Sequence, residues 1–259
     1  MASASVHGAS PTIPGADGSL RAQEEAWPPL ASSPKAFTEF AHLLGVTSLE
    51  FVDVLGFDDD LLLLLPAPVQ ALLLLFPTTP GASAYVEKRE AEGTPSASTE
   101  AAAYFLRQGL GGTCGTIAAL HALANTPAGA PVRRLLDETA TDAGDVCAAR
   151  SRRVVESDVI WRAHERAAKA TSTHPARCGQ RQGRHFVCWV PVEGRLVFLD
   201  GRRRRIIDCG PCLTDAFLRT AISEAAALVG AIEGNGAQAM AVSMLALVPS
   251  CPCEAGTCG

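Results

Sequence analysis

The stretch GLGGTCGTIAALHALAN, residues 109–125, decides how the rest of the chain is read. Gly109, Gly111 and Gly112 free the backbone for a tight turn, and beyond Cys114 the positions Ile117, Leu120, His121 and Ala124 recur at helical spacing. The pattern predicts a glycine turn feeding a buried helix, with Cys114 at the junction. A helix N-terminus carries unpaired N–H groups and about half a positive elementary charge, so a thiol held there is drawn toward thiolate, the nucleophilic form. A core cysteine that merely packs would look the same, and the partners available to the sulfur separate the two readings.

A cysteine nucleophile needs a base within about 2.6–3.2 Å, itself oriented by a third group. His121 lies on the same helix, about 10.5 Å further along the axis and out of reach. His7 falls in a polar N-terminal stretch, His42 in a predicted first helix, and His164 and His174 before or within a basic loop. His185 differs. It opens HFVCWVPV (185–192), a Glu193-Gly194 turn follows, and RLVFLD (195–200) returns, a hairpin pattern that brings Asp200 to the same end of the sheet. A carboxylate beside an imidazole fixes its tautomer and raises its basicity. Such a pair is commonly structural by itself, but joined to a helix-tip cysteine it makes Cys114, His185 and Asp200 a candidate relay.

The chain has 259 residues, 47% of them hydrophobic, enough for one large domain with its own core. With 22 Lys and Arg against 27 Asp and Glu the net charge is −5, so the basic footprint of a nucleic-acid binder is missing and no nucleic-acid partner is expected. The nine cysteines follow no small-scaffold disulfide pattern, and MASASVHGASPT has neither a basic nor an apolar leader region, which points to a reducing, cytoplasmic compartment, with the nucleus open as well. Leu61–Phe76 is leucine-rich but short and interrupted by Pro66 and Pro68; it reads as core, and no membrane span is expected.

Residues 1–23 read as a flexible tail, 24–249 as one domain, and 250–259 as a cysteine-containing tail. Ser33, Pro34 and Gly45 mark the first helix, SLEFVDVLGFDDD a strand ending in an acidic turn, and Pro68–Phe76 a central strand buried on both faces. Residues 77–100 read as a polar linker with at most a short helix near Val86–Ala91. Pro131 to about Lys169 reads as helix, broken near Ala143-Gly144, and Arg162–Arg184 holds six Lys/Arg against Glu165, its second half a long loop. Arg204–Asp208 is a further candidate strand, followed by a helix from Thr214 and a buried strand over 239–248.

At this point FVDVLGFD (51–58), PAPVQALLLLFP (66–77), YFLRQGLGGTCGTIAALHALAN (104–125), HFVCWVPVEGRLVFLDGR (185–202) and the last strand, in this order, resemble one family: the ubiquitin C-terminal hydrolases, cysteine peptidases that cut after the C-terminal glycine of ubiquitin. The resemblance runs from about Trp27 to Val248. It implies a papain-like α/β (α+β) fold, a central, mainly antiparallel sheet flanked by helices. It also implies a monomeric thiol hydrolase acting on ubiquitin or a ubiquitin-like modifier, with no cofactor or metal. Carried over residue by residue, Cys114 is the nucleophile, His185 the general base and acid, Asp200 the orienting carboxylate, and Gln108 an oxyanion donor beside the Cys114 N–H. Residues 163–183 correspond to the family's crossover loop, Asp53 to a position that meets the basic tail of ubiquitin, and Trp27, Pro29 and Leu30 to the arm that lies along it. The sequence departs from the family at Gly112, where Asn is usual, at Ala31, where Glu is usual, and in its basic rather than acidic crossover loop.

Two other classes compete. Cys209-Gly210-Pro211-Cys212 is the string of thiol-disulfide oxidoreductases, although too little chain follows it for the rest of such a domain. A catalytically weak ubiquitin-binding module would keep the surface and lose the chemistry. Cys251, Cys253 and Cys258 lack a nearby fourth metal ligand.

Overall fold

The alternation of apolar residues in ALLLLF divides the molecule into two cores. In the computed structural model, strand β2 (Ala71–Pro77) is buried from Ala71 to Phe76 because helices cover both sheet faces. Leu73 and Leu75 join one core with Phe186, Cys188 and Val190; Leu72 and Leu74 join the other with Val187 and Trp189. The sheet holds β1 (Leu49–Val54), β2, β3 (Arg184–Val192), β4 (Arg195–Leu199), β5 (Ile207–Pro211) and β6 (Ser243–Pro249), in the order β1-β6-β2-β3-β4-β5. Every neighbouring pair is antiparallel.

The helices are α1 (Pro34–Leu43), α2 (Asp59–Leu62), α3 (Pro80–Glu92), α4 (Ala97–Ala102), α5 (Cys114–Ala124), α6 (Ala130–Asp137), α7 (Val146–Glu156), α8 (Asp158–Ala170) and α9 (Phe217–Gly230). Helices α1, α5 and α8 share the first core, α3 and α9 the second. Helix α5 is buried from Gly115 to Ala124 and apolar on most of its surface, the pattern of a helix enclosed by its domain. The expected central antiparallel sheet flanked by helices is therefore present. The structure describes residues 13–14, 20–21, 27–138, 145–170, 183–232 and 242–250. Apart from the antiparallel backbone pair Ile13–Pro14 with Leu20–Arg21, the N-terminal tail lies outside them, as do the C-terminal tail from 251 and crossover residues 171–182.

Four local expectations need correcting. Residues 77–100 hold two helices. The small residues of α3 hide its periodicity, but Thr79 caps it by accepting from the Ala82 N–H at 3.2 Å, and Arg89 grips Glu224 of α9 through Nε at 3.1 Å and Nη2 at 2.9 Å. The leucine run is core at Leu62 and again from Ala71, but not throughout. Leu63 and Leu64, just past the one-turn α2, are 76% and 71% exposed. Residues 163–170, which the family resemblance assigns to the crossover loop although their pattern reads as helix to about Lys169, continue α8, where Ala163, Ala167 and Ala168 are buried. The strand expected at 204–208 runs from Ile207 to Pro211, and α9 begins at Phe217 after a short turn that includes Thr214.

Candidate active site

Cys114 is the first residue of α5, directly after the glycine turn. That turn exists because Gly112 adopts φ +79°, a left-handed conformation that costs other residues energy. The same residue permits a close approach: a Cβ there would lie 1.9 Å from the Trp27 carbonyl oxygen. The Trp27 N–H in turn donates to the Gly111 carbonyl at 3.1 Å. Residues 27–30 are thus laid against the turn that presents the sulfur.

The hairpin positions the other two groups. Its register pairs Cys188 with Leu199, so Asp200 comes level with the residue two beyond His185, on the same face. His185 Nε2 and Asp200 Oδ1 are 2.6 Å apart, and both residues are buried. Oδ1 also accepts the Arg202 N–H at 2.9 Å, and Arg203 Nε lies 3.6 Å from Oδ2. With Nε2 committed to Asp200, Nδ1 has no nitrogen or oxygen partner among the described residues and is the ring nitrogen left for the Cys114 thiol.

Burial works against charge on all three groups, and their contacts outweigh it. Burial alone would raise the Cys114 thiol, but hydrogen bonding and charge from His185, the Phe186 backbone and the charge of Arg202 bring it below the ordinary thiol value. Burial would lower His185, while its bonds to Asp200 and Cys114 raise it. Asp200, which burial would raise, is held below the usual carboxylate range by His185, the Arg202 backbone and Arg203. The arrangement favours a thiolate beside an imidazolium.

Gln108 is tied to the same end of the sheet, its N–H donating to the Gly201 carbonyl at 2.8 Å. Its side-chain Nε2 donates to Leu110 O at 2.9 Å, and Oε1 is buried without a partner among the described residues. The carboxamide therefore rests against the glycine turn with one N–H bonded there. Cys114 opens on a pit of about 30 Å³ lined by Pro29, Leu30, Leu75, Arg184 and Phe186. Arg184, Phe186 and Arg202 are site residues that the sequence reading missed, although each adjoins a residue it found. Among the described residues no group of three or more His, Cys, Asp or Glu could hold a metal ion.

The substrate-binding expectations separate. Pro29 lines the pit and Asp53 is exposed on edge strand β1. Trp27 and Leu30 are only 7% and 3% exposed, so their side chains pack within the protein, and Leu30 also lines the pit. Trp27 packs on Trp161 and His164 of α8, with ring centroids at 4.9 and 4.6 Å. Burying that much aromatic surface is worth more to the chain than leaving it in water. The other described histidines are used structurally. His121 stacks on Phe105 and accepts the Leu106 N–H at 3.0 Å, and His164 Nδ1 meets Thr116 Oγ1 at 2.7 Å. Burial pushes each down to about 4.

A family model described as ubiquitin carboxyl-terminal hydrolase, family 1, matches residues 27–228. The chain belongs to that family. A ubiquitin carboxyl-terminal hydrolase of Aplysia californica is 30% identical over 207 residues, covering 77% of this chain and 93% of the relative. One from Drosophila melanogaster is 31% identical over 201 residues, covering 75% and 87%, and isozyme L1 of Homo sapiens is 30% identical over 200, covering 74% and 86%. The catalytic domain of Trichinella spiralis UCH37, solved bound to ubiquitin vinyl methyl ester, matches with a TM-score of 0.68 at 21% identity, covering 88% of this chain and 97% of that one, a likeness of fold. In this member of the hydrolase family, strand β6 lies beyond the matched residues yet sits inside the sheet, between β1 and β2.

Proposed function

We propose that Cys114, His185, Asp200 and Gln108 carry out thiol-dependent hydrolysis of adducts on the C-terminal glycine of ubiquitin. The observation that carries this reading is the buried 2.6 Å contact between His185 Nε2 and Asp200, which leaves Nδ1 for a thiol at the first residue of a helix. The Cys114 thiolate attacks the carbonyl carbon of the terminal glycine. The Cys114 N–H and the Gln108 carboxamide hold the resulting oxyanion once Gln108 leaves the Leu110 carbonyl. His185 gives its proton to the departing amine, leaving a thioester. It then takes a proton from water, whose hydroxide breaks the thioester and frees the acid and the thiol. Asp200 keeps the ring in the required tautomer throughout.

Membership of the hydrolase family and the ubiquitin-linked names of the relatives support ubiquitin as the modifier. The pit of about 30 Å³ beside the sulfur suits a residue without a side chain. Asp53 and Pro29 are the candidate contacts for the modifier. The oxidoreductase reading has no comparable support. Cys209 lies within a strand rather than at a helix tip, and burial together with the charge of Glu224 pushes its thiol up to about 12, away from the thiolate that exchange requires.

The test is covalent capture with ubiquitin bearing a C-terminal vinyl ester. Wild type should form an adduct and Cys114→Ala should not. Equal labelling of Cys114→Ala, or loss of hydrolysis on Cys209→Ser, refutes the assignment. Parallel probes built on other ubiquitin-like modifiers rank the substrates.

A further inference from the structure

The run Arg202-Arg203-Arg204-Arg205 follows directly after the Asp200-Gly201 pair, and the site described above uses only half of it. Arg202 acts on Cys114 and His185 by charge, and Arg203 reaches Asp200 and, at 3.3 Å, Glu90. Arg204 and Arg205 are exposed, and neither has an ion-pair partner among the described residues. Both border a cleft of about 410 Å³ on the outer side of the Gln108 segment. Its walls come from the end of α4 and the stretch after it, from the first turns of α7, and from Arg204–Ile206.

This is a concave cationic site in an acidic chain. Arg107, Arg150, Arg204 and Arg205 line it against Glu100 and Asp145, an excess of two positive charges where the whole chain carries −5. Arg107 and Arg150 are already oriented: Arg107 pairs with Asp145, and Arg150 pairs with Asp137 at 2.7 Å while lying 3.7 Å over the Tyr104 ring. Ile206, 1% exposed, anchors the loop that carries the two free arginines. Adjacent Arg204 and Arg205, with no ion-pair partner among the described residues, repel one another, and their N–H forks match phosphate oxygens. The volume falls in the range of small-molecule sites, about 300–1,000 Å³.

We propose that this cleft binds a small molecule carrying closely spaced phosphate groups, held by Arg204 and Arg205 on one wall and by Arg107 and Arg150 on the other. The Gln108 N–H to Gly201 carbonyl bond joins the two wall segments, so the ligand clamps the stretch that carries Gln108 to the loop that follows Asp200. The site is independent of the hydrolytic reading, since binding can be measured without turnover.

The experiment is titration calorimetry on the full chain at low salt with inorganic tripolyphosphate, inositol hexakisphosphate and orthophosphate as separate probes. The first two should bind and orthophosphate should bind far more weakly; the tighter of the two indicates whether the phosphates are free or carried on a small ring. Arg204→Gln/Arg205→Gln should weaken binding about a hundredfold or more, as expected for the loss of two charged contacts. Arg134→Gln/Arg152→Gln, an equal charge change at exposed positions elsewhere, should leave binding unchanged. Cys147, partly buried in the cleft, should become protected from alkylation when the probe is bound. No binding of either polyphosphate, equal weakening by the two double variants, or binding of a doubly phosphorylated peptide in place of the small molecules overturns the proposal.

Discussion

Replacing Gly112 tests how the nucleophile is presented. At φ +79° an alanine pays about 1–2 kcal/mol for the left-handed backbone. Its Cβ would also meet the Trp27 carbonyl oxygen at 1.9 Å, backbone that cannot swing aside as a side-chain tip can. Overpacking of that kind adds about 1–3 kcal/mol, for a total of about 2–5 kcal/mol. Urea denaturation followed by tryptophan fluorescence reads both parts, because Trp27 and Trp161 lie edge to face and should separate when the turn pushes residue 27 away. At a slope of about 1–3 kcal/mol per molar urea, the midpoint should fall by about 1 M or more. Gly112→Asn separates the causes, since asparagine tolerates the dihedral but not the contact. Both variants should be destabilised, alanine more than asparagine. If both unfold within about 0.5 kcal/mol of wild type, the close approach does not exist and the coupling between residue 27 and the turn is wrong.

Three further outcomes follow from the geometry. Asp200→Asn keeps a group beside His185 but removes the charge that orients and protonates the ring, so kcat/KM on a ubiquitin substrate should drop about 10²–10⁴-fold; a drop under tenfold contradicts the triad. His121 and His164 are held near pKa 4, while the unfolded chain protonates them near 6.5, so stability should be complete above pH 6.5 and decline as the pH falls toward 4, by up to about 1.4 kcal/mol per unit for each ring. Thermal melts at pH 7 and pH 5 check the sign, and replacing His121 should flatten the profile. Cys209→Ser/Cys212→Ser should leave hydrolysis unchanged, because both thiols are raised by burial and neither touches the pit beside Cys114; a tenfold loss of kcat/KM would show that the pair contributes.

What was legible in the sequence was local. The glycine turn, its helix and the 185–200 hairpin announce themselves within a few residues, since turn glycines and alternating apolar residues act at short range. Cys114, His185, Asp200 and Gln108 could be named for that reason, and the structure brings His185 to Asp200 and Gln108 to the glycine turn. Helix α3 was legible only in part, as a short helix near Val86–Ala91, because its stability comes from afar, from Arg89 and Tyr85 meeting Glu224 of α9. Leu63 and Leu64 misled because composition alone does not say which leucines of a run a single helical turn leaves outside. The burial of Trp27 depends on α8, whose Trp161 and His164 are more than a hundred positions away.

The order of strands bears on how the chain is made. Strand β6, the last of the described strands to leave the ribosome, belongs between β1 and β2, two of the earlier ones. Until residues 243–249 emerge, both earlier strands keep an open edge where the late strand belongs, exposed to association with other nascent chains. Synthesis that stops early, even just after α9, would therefore yield a product that holds Cys114, His185, Asp200 and Gln108 and still lacks the strand that joins β1 to the rest of the sheet.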